Sequence, residues 1–233
     1  MNITKSDLAT ALAHGSVGAI PIVGSLASEV LGLVIPNRRL DRIEALLNEL
    51  SQQLGNRSAD DVQARFNSPE FADVLEDAIG QSARALSQER IHRIAALLKN
   101  SLTDEELRHL QDKRVLDLLA ELNDAELIIL QSYSREARFD PDWLNNNAAV
   151  INPTPSYFGA SQSERDEATL QEQFREHLRQ LGLLSATISP SSKPGGIPQF
   201  DDRTGLPKTS GYELTSLGLL LLRRIDVLGP TEF

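Results

Sequence analysis

The side chains of this chain that could do chemistry are two carboxylate pairs and a small number of histidines. Asp140 and Asp142 flank a proline, and Asp201 and Asp202 are adjacent to each other. Paired carboxylates of this kind can hold a divalent cation or share a proton. Both pairs lie in proline-containing stretches, however, where aspartate more often forms a turn. We therefore expect neither pair to be a metal site or an acid–base site.

The four histidines give no stronger indication of catalysis. None stands at a metal-ligand spacing from another histidine or a set of carboxylates; they are His14, His92, His109 and His177. His177 falls on the apolar stripe of a predicted helix, so we expect a hydrogen-bonded core histidine rather than a ligand. The sequence has no phosphate-loop, dinucleotide-loop, zinc-protease or serine-hydrolase motif and no cysteine. It therefore predicts a protein without enzymatic activity, cofactor or metal.

The sequence has more features suited to binding a partner than to catalysis. The first is the apolar stretch at residues 17–35. Gly24, Ser28 and Gly32 are spaced four apart, so on a helix they form one small-residue stripe that allows close packing of a second helix. A helix over residues 21–35 would be only about 22 Å long, at about 1.5 Å per residue. That length is less than the roughly 30 Å of a bilayer's hydrocarbon core.

Three arginines follow this stretch and form a basic collar at the start of the next predicted helix: Arg38, Arg39 and Arg42. An apolar helix beside a basic collar could bind anionic lipid or an acidic protein, and the alternative is a solvated surface. Three interpretations stay open for the helix at residues 21–35. It could lie inside a soluble bundle, form a hairpin that lies on or enters a membrane, or make a contact between copies.

Helical periodicity dominates the first part of the chain. Apolar residues at alternating spacings of three and four predict an amphipathic helix ended by Gly55, with the seam Leu40, Ile43, Leu47, Leu50 and Leu54. Further helices should begin at capping residues, namely Ser68, Ser87, Thr103 and Asn123. Short connections between them indicate antiparallel neighbours. We predict a helical bundle over residues 1–122, with Leu86 and Leu110 among its inward-facing residues.

Residues 139–164 break this pattern. The stretch contains three prolines and four asparagines and has no sustained apolar period. We expect a long loop or insertion with short helical turns. Three of its aromatic residues are expected to pin the loop to the bundle, with partner binding as the alternative; they are Trp143, Tyr157 and Phe158.

The C-terminal pattern predicts a helix, a strand, a long polar connection, a second strand and a closing helix. The first helix covers about residues 165–181, with Leu170 inward, and the strands cover residues 183–189 and 212–215. This order is that of the back half of a winged-helix module, in which a third helix precedes a two-stranded wing. The long wing, residues 189–211, carries three basic residues that could touch a partner: Lys193, Arg203 and Lys208.

Charge indicates which kind of partner to expect. The chain has a formal net charge of −10, and its predicted third helix has four acids against three arginines. Proteins that bind nucleic acid normally neutralise phosphates with a basic surface. The sequence therefore favours a protein partner or self-association over DNA, although the bases of the wing could still reach a phosphate backbone.

Two stretches resemble a known group of proteins. The N-terminal stretch is GAIPIVGSLASEVLGLVIPNRRLDRIEALLNEL followed by FNSPEFADVLEDAIGQSARALSQERIHRIAALLKNSL, and the C-terminal stretch is LRQLGLL with YELTSLGLLLLRRI. Together they resemble helical bacterial proteins of the abortive-infection alpha type, which act in phage defence. The resemblance implies an apolar N-terminal segment, a helical bundle, a winged-helix-like end and a defence role without an intrinsic active site.

We therefore expect a mainly α protein in which a winged-helix-like module over residues 123–233 follows the bundle. Its expected function is that of a non-enzymatic interaction subunit or effector of a bacterial anti-phage system. The expected location is the cytoplasm, with peripheral contact to the inner membrane left open. Two alternatives remain: a winged-helix transcriptional regulator that binds DNA, and a toxin that perturbs membranes through residues 17–35.

Overall fold

The structure is a computed structural model and describes residues 37–55, 66–103, 109–152, 159–188, 199–200, 205 and 208–229. Within these residues the protein is mainly helical, as predicted, with ten helices and a small antiparallel sheet of two strands. The chain divides into two compact units. The first unit consists of Met1–Ala120 together with Arg224–Phe233, and the second consists of Glu121–Arg223.

Four helices make up most of the described part of the first unit: α1 (Asn37–Leu54), α2 (Pro69–Ser82), α3 (Gln88–Thr103) and α4 (His109–Glu121). Helix α1 packs against α2 and α3. The predicted seam of α1 is confirmed at Ile43, Leu47, Leu50 and Leu54, which are buried, whereas Leu40 in the first turn is half-buried. The helix ends where Gly55 adopts a φ of 57°, a left-handed conformation that glycine adopts without steric cost.

Side-chain caps start two of these helices where the sequence predicts them. Ser68 Oγ accepts a hydrogen bond from the Phe71 N–H at 3.2 Å, which begins α2. Ser87 Oγ accepts from the Arg90 N–H at 3.2 Å, which begins α3. Thr103, by contrast, is the last residue of α3, and residues 104–106 of the predicted capping box lie outside the described residues.

Two leucines predicted to face inward are exposed. Leu86 has an exposed fraction of 93% because it lies in the turn between α2 and α3 rather than in a helix. Leu110 is 81% exposed. It is out of phase with the buried line of α4, which passes through Asp112, Val115, Leu116 and Leu119.

The second unit begins with α5 (Asp124–Ser132), whose predicted cap is confirmed. Asn123 Oδ1 accepts from the Glu126 N–H at 2.9 Å, and Glu126 Oε2 accepts from the Asn123 N–H at 2.8 Å. The described residues of the 139–164 stretch contain the short helical turns expected there. The remaining elements are α6 (Arg135–Arg138), α7 (Pro141–Asn146), α8 (Ala148–Ile151), α9 (Gln162–Gln180), β1 (Leu184–Ile188), β2 (Thr209–Leu214) and α10 (Ser216–Arg224).

Helix α9 starts three residues earlier than predicted, because Ser161 and Glu164 form a second capping box. It packs against α5 and β1. Its buried residues are Gln171 and Leu178, so the expected inward position of Leu170 is wrong, and 56% of that leucine is exposed.

The two strands pair antiparallel, with Leu184 opposite Leu214 and Ala186 opposite Tyr212. A register shift occurs between Thr187 and Ile188. Helix α10 follows β2 directly. Thr215 caps this helix, since Thr215 Oγ1 accepts from the Gly218 N–H at 3.0 Å.

No helix in the described part of the chain is long and apolar enough to cross a bilayer. The apolar stretch at residues 17–35 lies outside the described residues, so the three interpretations of its role remain predictions.

Candidate interaction surface

The residues predicted to contact a partner fall into two groups. Gly24, Ser28, Gly32, Lys193 and Arg203 lie outside the described residues. The structure describes the other four at least in their backbone, namely Arg38, Arg39, Arg42 and Lys208.

The basic collar at the start of α1 is not a uniform exposed surface. Arg39 is exposed, whereas Arg42 is half-buried. Arg42 Nη1 donates to the carbonyl oxygen of Ala83, which follows α2, at 3.2 Å. Arg42 therefore serves the packing of the first unit, because its guanidinium satisfies a carbonyl at a helix end.

The described basic residue of the wing is Lys208, which is exposed. Its backbone N–H donates to the carbonyl oxygen of Gln199 at 2.7 Å. The backbone at Lys208 is thus tied to the opposite side of the wing, while its side chain faces solvent.

Helix α9 is the third candidate contact surface, and its acidic and basic side chains differ in how they are paired. It carries five acids and three arginines. Arg175 donates to the carbonyl oxygens of Ile151 at 2.8 Å and Gln171 at 3.0 Å. Arg179 donates to both carboxylate oxygens of Glu176, at 2.7 and 2.6 Å. Arg175 and Arg179 are thus paired with groups of the protein, although Arg179 lies at the surface. Asp166, Glu167 and Glu172 are exposed, as is the third arginine, Arg165.

The Arg179 guanidinium also sets the ionisation of its partner. Its hydrogen bond is the main reason why the pKa of the Glu176 carboxyl lies below its ordinary value, and partial burial opposes that shift. The carboxylate is therefore held in its charged form, which keeps Arg179 paired on the helix surface.

A second contact joins α9 to α5. His177 Nδ1 lies 2.6 Å from Glu126 Oε1. The Glu126 side chain is buried and the His177 side chain is about one-third exposed, at 4% and 31%. The expected satisfied histidine is confirmed, because His177 pairs with a buried carboxylate, but its ring is partly exposed and so lies at the edge of the core rather than inside it. Sequence reasoning identified Glu126 only as a capping residue, and nothing local indicated its second partner.

The hairpin has one apolar face. Directly opposed residues of antiparallel strands share a face, so Leu184, Ala186, Tyr212 and Leu214 lie on the same side. The Tyr212 ring meets the Tyr133 ring edge-on, with centroids 6.3 Å apart. Burial, followed by the charge of Glu176, raises the pKa of the Tyr212 hydroxyl.

Two large apolar side chains of the wing are exposed. Ile188, at the end of β1, is 51% exposed, and Phe200 is 46% exposed. An acidic helix beside a hairpin with exposed apolar residues is suited to binding another protein, because apolar contacts supply attraction and the charges select the partner.

Among the described residues, no group of three or more acidic or histidine side chains could hold a metal ion.

The aromatic residues of the 139–164 stretch were expected to anchor it. Tyr157 and Phe158 lie outside the described residues. Trp143 is half-buried, and its helix α7 has no buried residue. This placement is unlike that of an anchor, which would be buried against the rest of the unit.

Comparisons with known proteins identify no relative for this chain. No protein-family model matches it. Searches of curated proteins and of solved structures also find no significant match.

Proposed function

We propose that this protein is a non-enzymatic interaction subunit or effector of a bacterial anti-phage system of the abortive-infection type. In this proposal α9, the β1–β2 hairpin and α10 form a winged-helix-like module that binds a protein partner or a second copy of the chain. The defence role is supported by the resemblance of the N-terminal and C-terminal stretches to abortive-infection alpha proteins. The preference for a protein partner is supported by the surface of α9.

The observation that carries the choice of partner is the state of the charges on α9. Arg175 and Arg179 are paired within the protein, so the remaining exposed charges of the helix are mainly acidic: Asp166, Glu167 and Glu172 against Arg165. A helix with this surface would repel the phosphates of a duplex. The same carboxylates would attract a partner that presents lysine or arginine.

A transcriptional regulator is the second candidate, and the order of helix, hairpin and helix favours it. That order resembles the arrangement in which winged-helix proteins place one helix in the major groove. The exposed Lys208 could contribute a phosphate contact from the wing. Binding to duplex DNA at low and at high salt separates the two candidates, because phosphate contacts make affinity strongly salt-dependent.

A phage-challenge experiment tests the first candidate. Cells that produce the full chain should plate phage less efficiently than cells without it. Glu167→Arg should remove this protection by reversing charge on α9, while Glu44→Arg, which reverses an exposed charge on α1, should preserve it. Affinity capture and light scattering of the same two variants should show the loss of a partner, or of self-association, with Glu167→Arg alone.

Four results would contradict the proposal. If the chain gave no protection, the defence role would be wrong. If both variants retained protection, the charge of α9 would not be needed for that role. Salt-sensitive and sequence-preferring binding to DNA would indicate a regulator. Dye leakage from anionic liposomes that Gly24→Leu or Gly32→Leu abolishes would indicate a membrane-active toxin.

A further inference from the structure

A group of exposed aromatic and acidic residues lies at the junction of α6 and α7 in the second unit. Phe139 has an exposed fraction of 79%, and Trp143 is half-buried. Asp140 and Asp142, on either side of Pro141, are both exposed. Neither aromatic residue lies in a buried core, since Phe139 is largely exposed and α7, which contains Trp143, has no buried residue.

The backbone around these residues is held in a fixed conformation. Ser134 Oγ accepts from the Ala137 N–H at 3.2 Å, which caps α6. Asp140 Oδ1 accepts from the Trp143 N–H at 2.9 Å, which caps α7. At the far end of α7, Asn147 Nδ2 donates to the Trp143 carbonyl oxygen at 2.8 Å. The backbone that carries the aromatic residues is therefore held by hydrogen bonds before a partner binds, which lowers the entropy cost of binding.

Helix α7 contacts mainly α6 and α8, its neighbours along the chain. An exposed phenylalanine and a half-exposed tryptophan within five residues are uncommon on a surface that has no partner, because tryptophan and other aromatic residues concentrate at binding surfaces. We name this group, Phe139, Asp140, Asp142 and Trp143, the aromatic–acidic patch.

The charge of the patch restricts the chemistry of what binds there. Asp142 forms no ion pair with any residue in the described part of the chain. The nearest base along the chain, Arg138, lies over the Tyr133 ring at 5.9 Å from its centroid. The whole second unit contains 14 acidic and nine basic residues, a net charge of −5. Anionic lipid and nucleic acid would be repelled.

We propose that the aromatic–acidic patch is a docking site for a cationic, partly apolar segment of a partner protein. Arginine or lysine of that segment would stack on Trp143 through a cation–π contact. The same groups would pair with Asp140 and Asp142, and an apolar side chain would cover Phe139. These residues are distinct from those of α9, so this inference holds or fails independently of the phage-defence proposal.

Trp143 itself provides the measurement, because it is the only tryptophan of the chain. The full-length protein is titrated with an amphipathic peptide of leucine and arginine while the Trp143 emission is recorded. A matched peptide, in which glutamate replaces every arginine, serves as the control ligand. We expect a saturable blue shift with the arginine peptide and no shift with the glutamate peptide.

Two surface variants test the specificity of this binding. Phe139→Ser should weaken binding at least about fivefold, the lower end of what an aromatic contact residue contributes. Asp142→Asn should also weaken it, whereas Asp41→Asn, which removes an exposed aspartate charge from α1 of the first unit, should leave the affinity unchanged. Circular dichroism of each variant verifies that it is folded, as expected for exposed positions.

Specific results would overturn the docking site. Equal weakening by Asp142→Asn and Asp41→Asn would mean that the peptide responds only to the total negative charge. Binding that calorimetry detects without a change in Trp143 emission would place the peptide elsewhere. An equal shift with the glutamate peptide would contradict the cationic nature of the ligand.

Discussion

Glu126 joins α5 to α9 through the contact of its buried carboxylate with His177. Only 3% of this residue is exposed. One carboxylate oxygen accepts from the Asn123 N–H, and the other lies beside His177 Nδ1. A buried carboxylate that loses a partner retains the cost of its removal from water. The stability of this part of the second unit should therefore be sensitive to His177.

Replacing His177 with alanine should lower the free energy of unfolding by about 1–3 kcal/mol, because Glu126 then lacks one of its partners while still buried. Urea unfolding followed by circular dichroism measures the effect. His92→Ala is the matched control, since His92 also pairs with a glutamate, Glu49, but 53% of its side chain is exposed. The control should lose less than about 1 kcal/mol, and equal losses in both variants would contradict the argument.

Glu49 gives the first unit a pH-dependent contribution to stability. Its pKa lies below the ordinary value of 4.5, chiefly because Gln53 Nε2 donates to its carboxylate at 2.9 Å. Burial opposes this shift, and His92 adds to it. Because the pKa is lower in the folded than in the unfolded state, the contribution is present above the unfolded-state pKa and is lost as pH falls through the folded-state pKa.

The wild type should accordingly be more stable than Glu49→Gln at neutral pH. The difference in unfolding free energy between them should shrink as pH falls below about 4.5, where the unfolded carboxyl begins to take up protons. Urea unfolding at a series of pH values measures it. A difference that grows on acidification would show that the sign of the shift is wrong.

The packing of α10 depends on a glycine, Gly218, in its first turn. A Cβ at Gly218 would lie 2.5 Å from the carbonyl oxygen of Leu183 and 2.7 Å from Cδ1 of Leu214. The first turn of α10 thus packs against the end of the preceding strand and the residue before β1. Only glycine leaves enough space for this approach.

Gly218→Ala should destabilise the protein by about 1–3 kcal/mol, because the added methyl forces α10 away from Leu183. Gly80→Ala in α2 is the matched control, since a Cβ there meets nothing within 4 Å. Alanine favours the helix over glycine by up to about 1 kcal/mol at both positions. A loss of unfolding free energy for Gly218→Ala together with a gain for Gly80→Ala would therefore show that the steric contact with Leu183 causes the loss. If Gly218→Ala were more stable than the wild type, the close approach of Gly218 to the Leu183 carbonyl oxygen would be wrong.

On the scale of the whole molecule, the first unit is not continuous in sequence. Arg224 Nε donates to Asp112 Oδ1 at 3.0 Å, and both residues are buried. Asn100 Nδ2 donates to the Arg224 carbonyl oxygen and to Asp226 Oδ1, both at 2.9 Å. Lys99 also pairs with Asp226. The residues from Arg224, the last residue of α10, onwards therefore belong to the same unit as α1 to α4.

Asp112→Ala should cost about 3–5 kcal/mol of unfolding free energy, because it leaves the buried Arg224 guanidinium without its carboxylate. The double variant Asp112→Leu with Arg224→Leu should recover most of that loss, since two apolar side chains replace a buried ion pair. Thermal and urea unfolding measure both variants. A double variant less stable than Asp112→Ala alone would show that the pair contributes more than the burial of its charges costs.

The amino-acid sequence by itself determined the local features of this protein. Ser68 and Asn123 start helices where their side chains can accept a backbone N–H, and Gly55 and Gly182 end helices at positive φ. The antiparallel hairpin also follows from its own strands. Capping, periodicity and the preference of glycine for left-handed backbone act over a few residues, so the sequence pattern contains them.

Only the tertiary structure decided which distant residues meet. Asp112 and Arg224 are 112 residues apart in sequence, and Glu126 and His177 are 51 apart. The exposure of Leu86, Leu110 and Leu170 was likewise settled by which helix faces find a partner. Such contacts depend on the packing of whole elements. No local pattern predicts them, because an aspartate or glutamate looks the same in the sequence whether it is buried or exposed in the fold.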